Sequence, residues 1–362
     1  MLLLEMVKTL KIGILITRAK AEKKKDELLN INSNKRPWLK GADKSYNDLT
    51  INRKGKICVP GDVSIGLYMM WNWKNVDVDF IKPEDISLKR LHSNDINFMV
   101  IYDLLESFHV DKKVIFEKFK NTLKKCNNIY PPYYYQKFIN NKCLYIKHLK
   151  NKQEPVIPTH CIMKETYVKN GIKKIIENLK VVIKHEGWDK FIGKPVYGQE
   201  SIYFKKFNNT GSLLEKYIRD GFKKYPGLIF QKYIDGFDKK SPEIRLYYIG
   251  NDYKYSIVTT DDTVRVPKQE KGTEKVDNLK ALINKGKQTM KNLPPIKMRG
   301  RILPRLLTRV DIACEKHCKK PWIINECEFV PSLYIENVDF IPEPDMGDQV
   351  IKIAKIFKRK MK

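Results

Sequence analysis

The 362-residue sequence contains no run of about 18 apolar residues, so nothing in it reads as a membrane-spanning helix. Residues 1–11 lack a basic n-region, and Lys8 and Lys11 interrupt their apolar character. That is not a secretory signal, and the expectation is a soluble, cytoplasmic protein. The seven cysteines form no CxxC pair; an odd, irregularly spaced set favours reduced thiols over a disulfide framework. Cys314, His317 and Cys318 lie close together, but a fourth ligand at zinc-site spacing is missing. GxxxxGK[ST] is absent, and no GxGxxG follows the first apolar strand, so neither a P-loop nor a dinucleotide-binding turn is supported. No Ser/His/Asp or Cys/His spacing points to a hydrolase. No zinc-finger or RNP-type motif points to a nucleic-acid module.

Acidic residues are also scarce relative to basic ones: 42 against 70, a formal net charge of +28. Such a surplus favours anionic partners, whether nucleic acid, a membrane surface or phosphorylated and acidic substrates. The lysines are spread along the chain among many isoleucines and asparagines, which also reads as compositional drift. Hydrophobic content of 42% and charged content of 31%, with a mean hydropathy of −0.48, describe a globular chain long enough for two or three domains.

In chain order, residues 9–16, 77–81 and 97–103 read as strands, and residues 112–126 read as a helix with Ile115, Phe119 and Leu123 on one face. Strands alternating with helices imply a small α/β domain with a parallel sheet. Residues 18–56, polar and poorly periodic, read as a long loop or insertion. Asp103 and Glu106 are placed where a strand end could face a cleft. Further on, residues 141–149, 171–186 and 212–222 carry helical spacing, and residues 228–234 an apolar strand. Residues 243–250 and 253–259 form a hairpin pattern with Glu243, Arg245 and Tyr247 on one face. Residues 191–204 read as two strand-like pieces around a turn at Gly198, with Lys194 beside it. Residues 261–301 read as a Lys-rich loop before a short helix, and residues 347–362 as a closing basic helix. Trp71, Trp73 and the run Tyr133, Tyr134 and Tyr135 could stack bases, but their apolar surroundings argue for core.

The most informative stretch is 308–314 with 321–329, two β-branched and apolar runs joined by a charged connector. Because strand side chains alternate, Arg309 and Asp311 share a face, as do Glu326 and Glu328. If those faces agree, three carboxylates and a guanidinium converge. Carboxylates that close repel unless a cation neutralises them, and oxygen ligands in an incomplete cage suit Mg²⁺. The competing reading is an edge hairpin with its charged face in water.

The order of the short motifs carries more than any one of them. Asn141-Lys142 precedes Pro158-Thr159, then Lys194-Pro195 with Gly198 and Ser201, then Gln231-Lys232-Tyr233-Ile234. Glu243-x-Arg245, Arg309-x-Asp311 and Glu326-x-Glu328 follow. This series resembles the ATP-grasp superfamily, of the glutathione synthetase-like ATP-binding fold. The resemblance implies an α/β (α+β) protein with three parts: a substrate-side domain over residues 1–127, a first ATP-grasp subdomain with a phosphate lid over 128–230, and a second with the metal site over 231–362.

Carried onto these residues, the resemblance implies that Lys142 and Lys194 bind the ATP phosphates under a lid from Gly198 to Ser201. Gln231, Lys232 and Ile234 would form the adenine hinge, and Asp235 or Asp238 would meet the ribose. Asp311, Glu326 and Glu328 would hold one or two Mg²⁺ ions, with Mn²⁺ as a substitute. Arg245 and Arg309 would stabilise the transferring phosphoryl group or a substrate carboxylate. The family ends its metal motif with Glu-x-Asn, whereas Glu328 stands here, and Asn325 falls on the other strand face by simple alternation. The implied activity is an ATP- and Mg²⁺-dependent ligase that joins the carboxylate and amine of small molecules or peptides through an acyl phosphate. The alternatives are an ATP-grasp kinase for a polyanionic small molecule such as an inositol phosphate, a non-catalytic basic nucleic-acid-binding protein, or an inactive ATP-grasp relative.

Overall fold

In the computed structural model, the structure describes residues 9–16, 28–100, 113–198, 203–234, 243–259, 264–265, 278–314, 322–329, 331, 333 and 340–359. The strand Leu10–Leu15 lies inside a parallel sheet, between Val76–Ile81 and Ile96–Met99, with Ile129–Tyr130 at the far edge. A strand covered on both faces reads as a near-continuous apolar run, and Ile12 and Ile14 are fully buried. Gly13 is required where Asn97 crosses it, because a Cβ there would sit 2.0 Å from Asn97 Oδ1. The helix Lys113–Lys125 completes the α/β unit, burying Phe119 and Leu123. Asp103 and Glu106 lie outside the described residues.

Residues 28–60 differ from the expected long loop. Leu28–Asn30, Lys56–Pro60 and Ile51–Arg53 pair as a small antiparallel sheet, burying Leu29, Leu39, Leu49 and Val59. These short elements alternate too briefly to show a period. The small sheet leads into the helix Gly61–Asn72, against which the closing helix Pro342–Lys358 packs, with Gly347 beside Tyr68. Arg36 Nε reaches Glu343 Oε1 at 2.5 Å, and Ser64 Oγ donates to the same oxygen at 3.0 Å. This pair is buried and ties the N-terminal third to the C-terminal helix.

A second sheet is antiparallel, in the order Lys205–Phe207, Phe191–Pro195, Gly227–Lys232, Thr159–Met163. The helices Lys164–His185 and Ser212–Lys224 cover one face, where Ile172, Ile175, Leu179, Leu214, Ile218, Phe191, Leu228 and Phe230 form a separate core. Alternation therefore puts Lys194, Ile229, Gln231, Thr159 and Cys161 on the opposite face. A third sheet runs Val264–Arg265, Asp252–Thr259, Glu243–Ile249, Leu307–Cys314, Trp322–Glu328, backed by the helix Leu279–Asn292. The second and third sheets meet where Ile157, Ile234 and Ala313 are buried together against Ile323.

Two expectations from the sequence need correction. Cys143 and Cys161 are joined by a disulfide with a Cα–Cα distance of 6.0 Å, not held as separate thiols; Cys58, Cys126 and Cys327 are buried. The aromatic residues divide: Tyr135 is core, but Trp71 and Tyr134 are more than half exposed. Among the described residues no helix is long and apolar enough to cross a membrane.

Candidate functional site

The strands Leu307–Cys314 and Trp322–Glu328 form the expected hairpin, with Arg309 opposite Glu328 and Asp311 opposite Glu326. Arg245, on the neighbouring strand, is opposite Asp311. Directly opposed residues in a ladder share a face, so the charges read off the sequence do converge. The Arg309 guanidinium grips Asp311 with two parallel bonds, Nε to Oδ1 and Nη2 to Oδ2, each 2.7 Å. Its other terminal nitrogen lies 3.0 Å from Glu328 Oε2. Arg245 Nε donates to Glu243 Oε1 at 2.9 Å and stands 3.9 Å from Asp311 Oδ2.

The register shifts between Asp311 and Ile312: Asp311 faces Glu326 while Ile312 faces Ile324. Asn325 is the extra residue of this bulge. A bulge re-aims a side chain out of strict alternation, and Asn325 Nδ2 donates to Glu243 Oε2 at 2.5 Å. The residue placed on the far face by period-2 counting therefore belongs to the charged face. Glu243 is buried and also accepts from Thr259 Oγ1 at 3.2 Å. Neither role was legible in the sequence, because a bulge leaves no mark on composition.

Lys142 is the first residue of the helix Lys142–Asn151, whose N-cap Asn141 accepts from Leu144 N. Lys142 Nζ lies 2.5 Å from Glu326 Oε1 and donates to the Gly198 carbonyl at 2.6 Å. It thus joins the hairpin to the turn that follows Lys194. Lys194 has no salt-bridge partner among the described residues, although Glu326 and Lys142 are near enough to influence it. Gln231 is fully buried, with Nε2 donating to Thr159 Oγ1 at 2.9 Å and Oε1 without a partner among the described residues. Lys232 N bonds to Pro158 O, and Ile234 plugs the junction of the two sheets. Ser201, Asp235, Asp238, His317 and Cys318 lie outside the described residues.

The electrostatics follow from this packing. Burial opposes a charge on Glu326, but Lys142 and Lys194 outweigh it and hold the carboxyl down at about 2. Burial likewise opposes Glu243, and Arg245 with Asn325 brings it below the ordinary range. Asp311 goes the other way, up to about 7, because burial and the Glu243 carboxylate outweigh the pull of Arg309. Burial pushes the Lys194 ammonium below its usual range, and Lys142 adds to the effect.

The depressed carboxyls contribute stability that is present above their unfolded value of about 4.3 and lost as pH falls toward 2. Asp311 acts in the opposite sense between about 3.9 and 7, so its contribution is complete below pH 4. The expected result is a urea midpoint that falls between pH 4 and 2 in the unaltered chain. In Lys142→Met, burial acts on Glu326 without its main counter-charge, so its carboxyl is no longer held low and the fall between pH 4 and 2 is smaller. Superimposable profiles would rule out the Lys142–Glu326 pairing.

For a divalent cation the donors are chemically suitable: Asp311, Glu326 and Glu328 offer only oxygen and share one face. Among the described residues, however, no three acidic, histidine or cysteine side chains close on one point. Arg309 occupies the space between Asp311 and Glu328, and Lys142 covers Glu326. A bound Mg²⁺ would share these carboxylates with the two side chains already on them.

No family model matches this chain, and no curated protein matches its sequence. Solved structures do. The D-cycloserine synthetase DcsG superposes with a TM-score of 0.60 at 13% identity, over 96% of this chain and 100% of that one. The D-alanine–D-alanine ligase from Bacillus anthracis complexed with ATP gives 0.57 at 12% identity, over 98% and 100%. The ATP-grasp ligase PsnB, complexed with a precursor variant, Mg and ADP, gives 0.53 at 11% identity, over 95% and 98%. The chain therefore has the ATP-grasp fold over nearly its whole length, as its motif order implied.

Proposed function

We propose that this protein is an ATP- and Mg²⁺-dependent ligase that joins a carboxylate to an amine through an acyl phosphate. The observation that carries this reading is Lys142. One ammonium, 2.5 Å from Glu326 and 2.6 Å from the Gly198 carbonyl, brings the phosphate-side turn against the carboxylate hairpin. ATP and Mg accompany neighbours of the same fold.

In this reading Lys142 and Lys194 hold the phosphates, and the partly desolvated Lys194 acts as a cation kept ready for an anion. Gln231, Lys232 and Ile234 line the adenine end, and Ser201 and Asp238 serve the lid and ribose. Asp311, Glu326 and Glu328 would hold Mg²⁺, which neutralises phosphate charge when bound. Arg245 keeps about a fifth of its side chain exposed, 21% against 6% for Arg309. It is therefore the arginine that reaches the acceptor, while Arg309 positions the carboxylates. The acceptor carboxylate attacks the γ-phosphorus and ADP leaves. An amine then displaces phosphate from the acyl carbon and loses a proton. Positioning and fixed charge supply the rate, with no nucleophilic side chain.

The net charge of +28 favours an acidic acceptor and sustains a second reading, a kinase acting on a polyanion. Thermal shift with ATP tests the shared site. Stabilisation that requires Mg²⁺ is expected, about 2.7 kcal/mol at 100 times the dissociation constant, and it should vanish in Asp311→Asn/Glu326→Gln. Absence of any shift would sink the enzyme reading. Hydroxylamine then separates the two chemistries, since an acyl phosphate is trapped as a hydroxamate and a phosphorylated hydroxyl is not.

A further inference from the structure

The Cys143–Cys161 disulfide lies against the residues assigned to ATP. Cys143 directly follows Lys142 in the first turn of the helix Lys142–Asn151. In the second sheet, Cys161 is opposite Ile229, and Ile229 is opposite Lys194. Directly opposed residues share a face, so Cys161 and Lys194 stand in one row on the face away from the helices, the face that also carries Thr159 and Gln231. The cross-link thus ties the helix start bearing one phosphate lysine to the sheet bearing the other. Both cysteines keep part of their surface exposed, whereas Cys58, Cys126 and Cys327 are buried.

We infer that Cys143–Cys161 is a thiol–disulfide exchange site that sets nucleotide affinity, an inference that rests on the ATP-site reading above. The reductant is a dithiol. One of its thiolates attacks a sulfur of the pair, forming a mixed disulfide and releasing the other cysteine as a thiolate. The second thiol of the reductant then displaces the remaining cysteine. Two electrons and two protons pass from the dithiol to the pair, leaving Cys143 and Cys161 as thiols and the reductant as a disulfide. In the reduced form the start of the helix, with Lys142, is held to the sheet by non-covalent contacts alone. Lys142 is then less pre-organised for an anion, and the cost of ordering it falls on binding.

The test compares three samples of the full chain: oxidised, reduced with dithiothreitol, and Cys143→Ser. Mass spectrometry after thiol alkylation reports the bond itself, and amide exchange over residues 142–146 reports the helix start without any nucleotide. ATP titration with Mg²⁺ reports affinity. The expected result is a bond opened by dithiothreitol, exchange faster by at least ~10-fold, and ATP bound ~10-fold more weakly by the reduced chain. Cys143→Ser should match the reduced chain and ignore the reductant. Should Cys143→Ser fail to fold, reduced and reoxidised unaltered chain carries the comparison. Free thiols under oxidising conditions, or exchange and affinity unchanged on reduction, would overturn the inference. If exchange responds but ATP binds in neither state, the nucleotide reading falls and the exchange site remains.

Discussion

Replacing Arg309 with leucine is expected to remove about 3–5 kcal/mol of folding stability. Arg309 is 5% exposed, and three nitrogens of its guanidinium are committed, two to Asp311 and one to Glu328. Burial would by itself pull its pKa down, and the two carboxylates reverse that, raising it well above the ordinary arginine range. Leucine fills much of the volume but leaves Asp311 and Glu328 without their cation beside Glu243 and Glu326. An uncompensated buried charge costs more than a well-made pair contributes, so the loss comes mainly from what remains behind. Urea denaturation followed by tryptophan fluorescence reads the effect. Arg309→Lys should recover less than half of it, because an ammonium cannot reproduce the two-pronged bond. Adding Asp311→Leu to Arg309→Leu should recover much of it while leaving ATP binding abolished. A loss below 1 kcal/mol in the single variant would mean that water reaches the fork.

The second large effect separates binding from stability. Lys194→Met is expected to weaken ATP about 10–100-fold, the worth of a charge-assisted phosphate contact of roughly 1.5–3 kcal/mol. Its denaturation midpoint should stay level or rise, because burial already disfavours the ammonium and methionine removes that penalty. Lys142→Met should lose on both counts, since Glu326 relies first on Lys142 for its charge. Isothermal titration with ATP–Mg²⁺ alongside urea denaturation checks the pair. If Lys194→Met loses stability as Lys142→Met does, Lys194 is a structural cation and not one kept for a ligand. A group that destabilises the fold yet serves the ligand is the usual signature of a binding site.

Local pattern was enough for the pieces whose cause is local. The helical spacing of residues 171–186 shows in Ile172, Ile175 and Leu179, although the helix itself reaches back to Lys164 across a kink at Gly171. The strand Leu10–Leu15 shows in a largely apolar run broken only at exposed Lys11. Strict alternation likewise put Arg309 with Asp311 and Glu326 with Glu328, and the ladder keeps both assignments. Where alternation breaks, the reading breaks with it: Asn325 changes face at a bulge set by how two strands settle against each other. The small sheet within residues 28–60 stayed hidden because strands of three to five residues are too short to show a period.

The sequence by itself determined the order of motifs, the periodicity of the main elements and the charge types available to a site. Tertiary structure decided which charges meet. Lys142 and Glu326 are far apart in the chain, and nothing local selects that partner over other carboxylates. Cys143 and Cys161 are 18 residues apart, in no framework that spacing could reveal. Helix and strand formation respond to neighbours within a few positions. Ion pairs, disulfides and bulges depend on distances between elements, and those distances exist only once the sheets have packed.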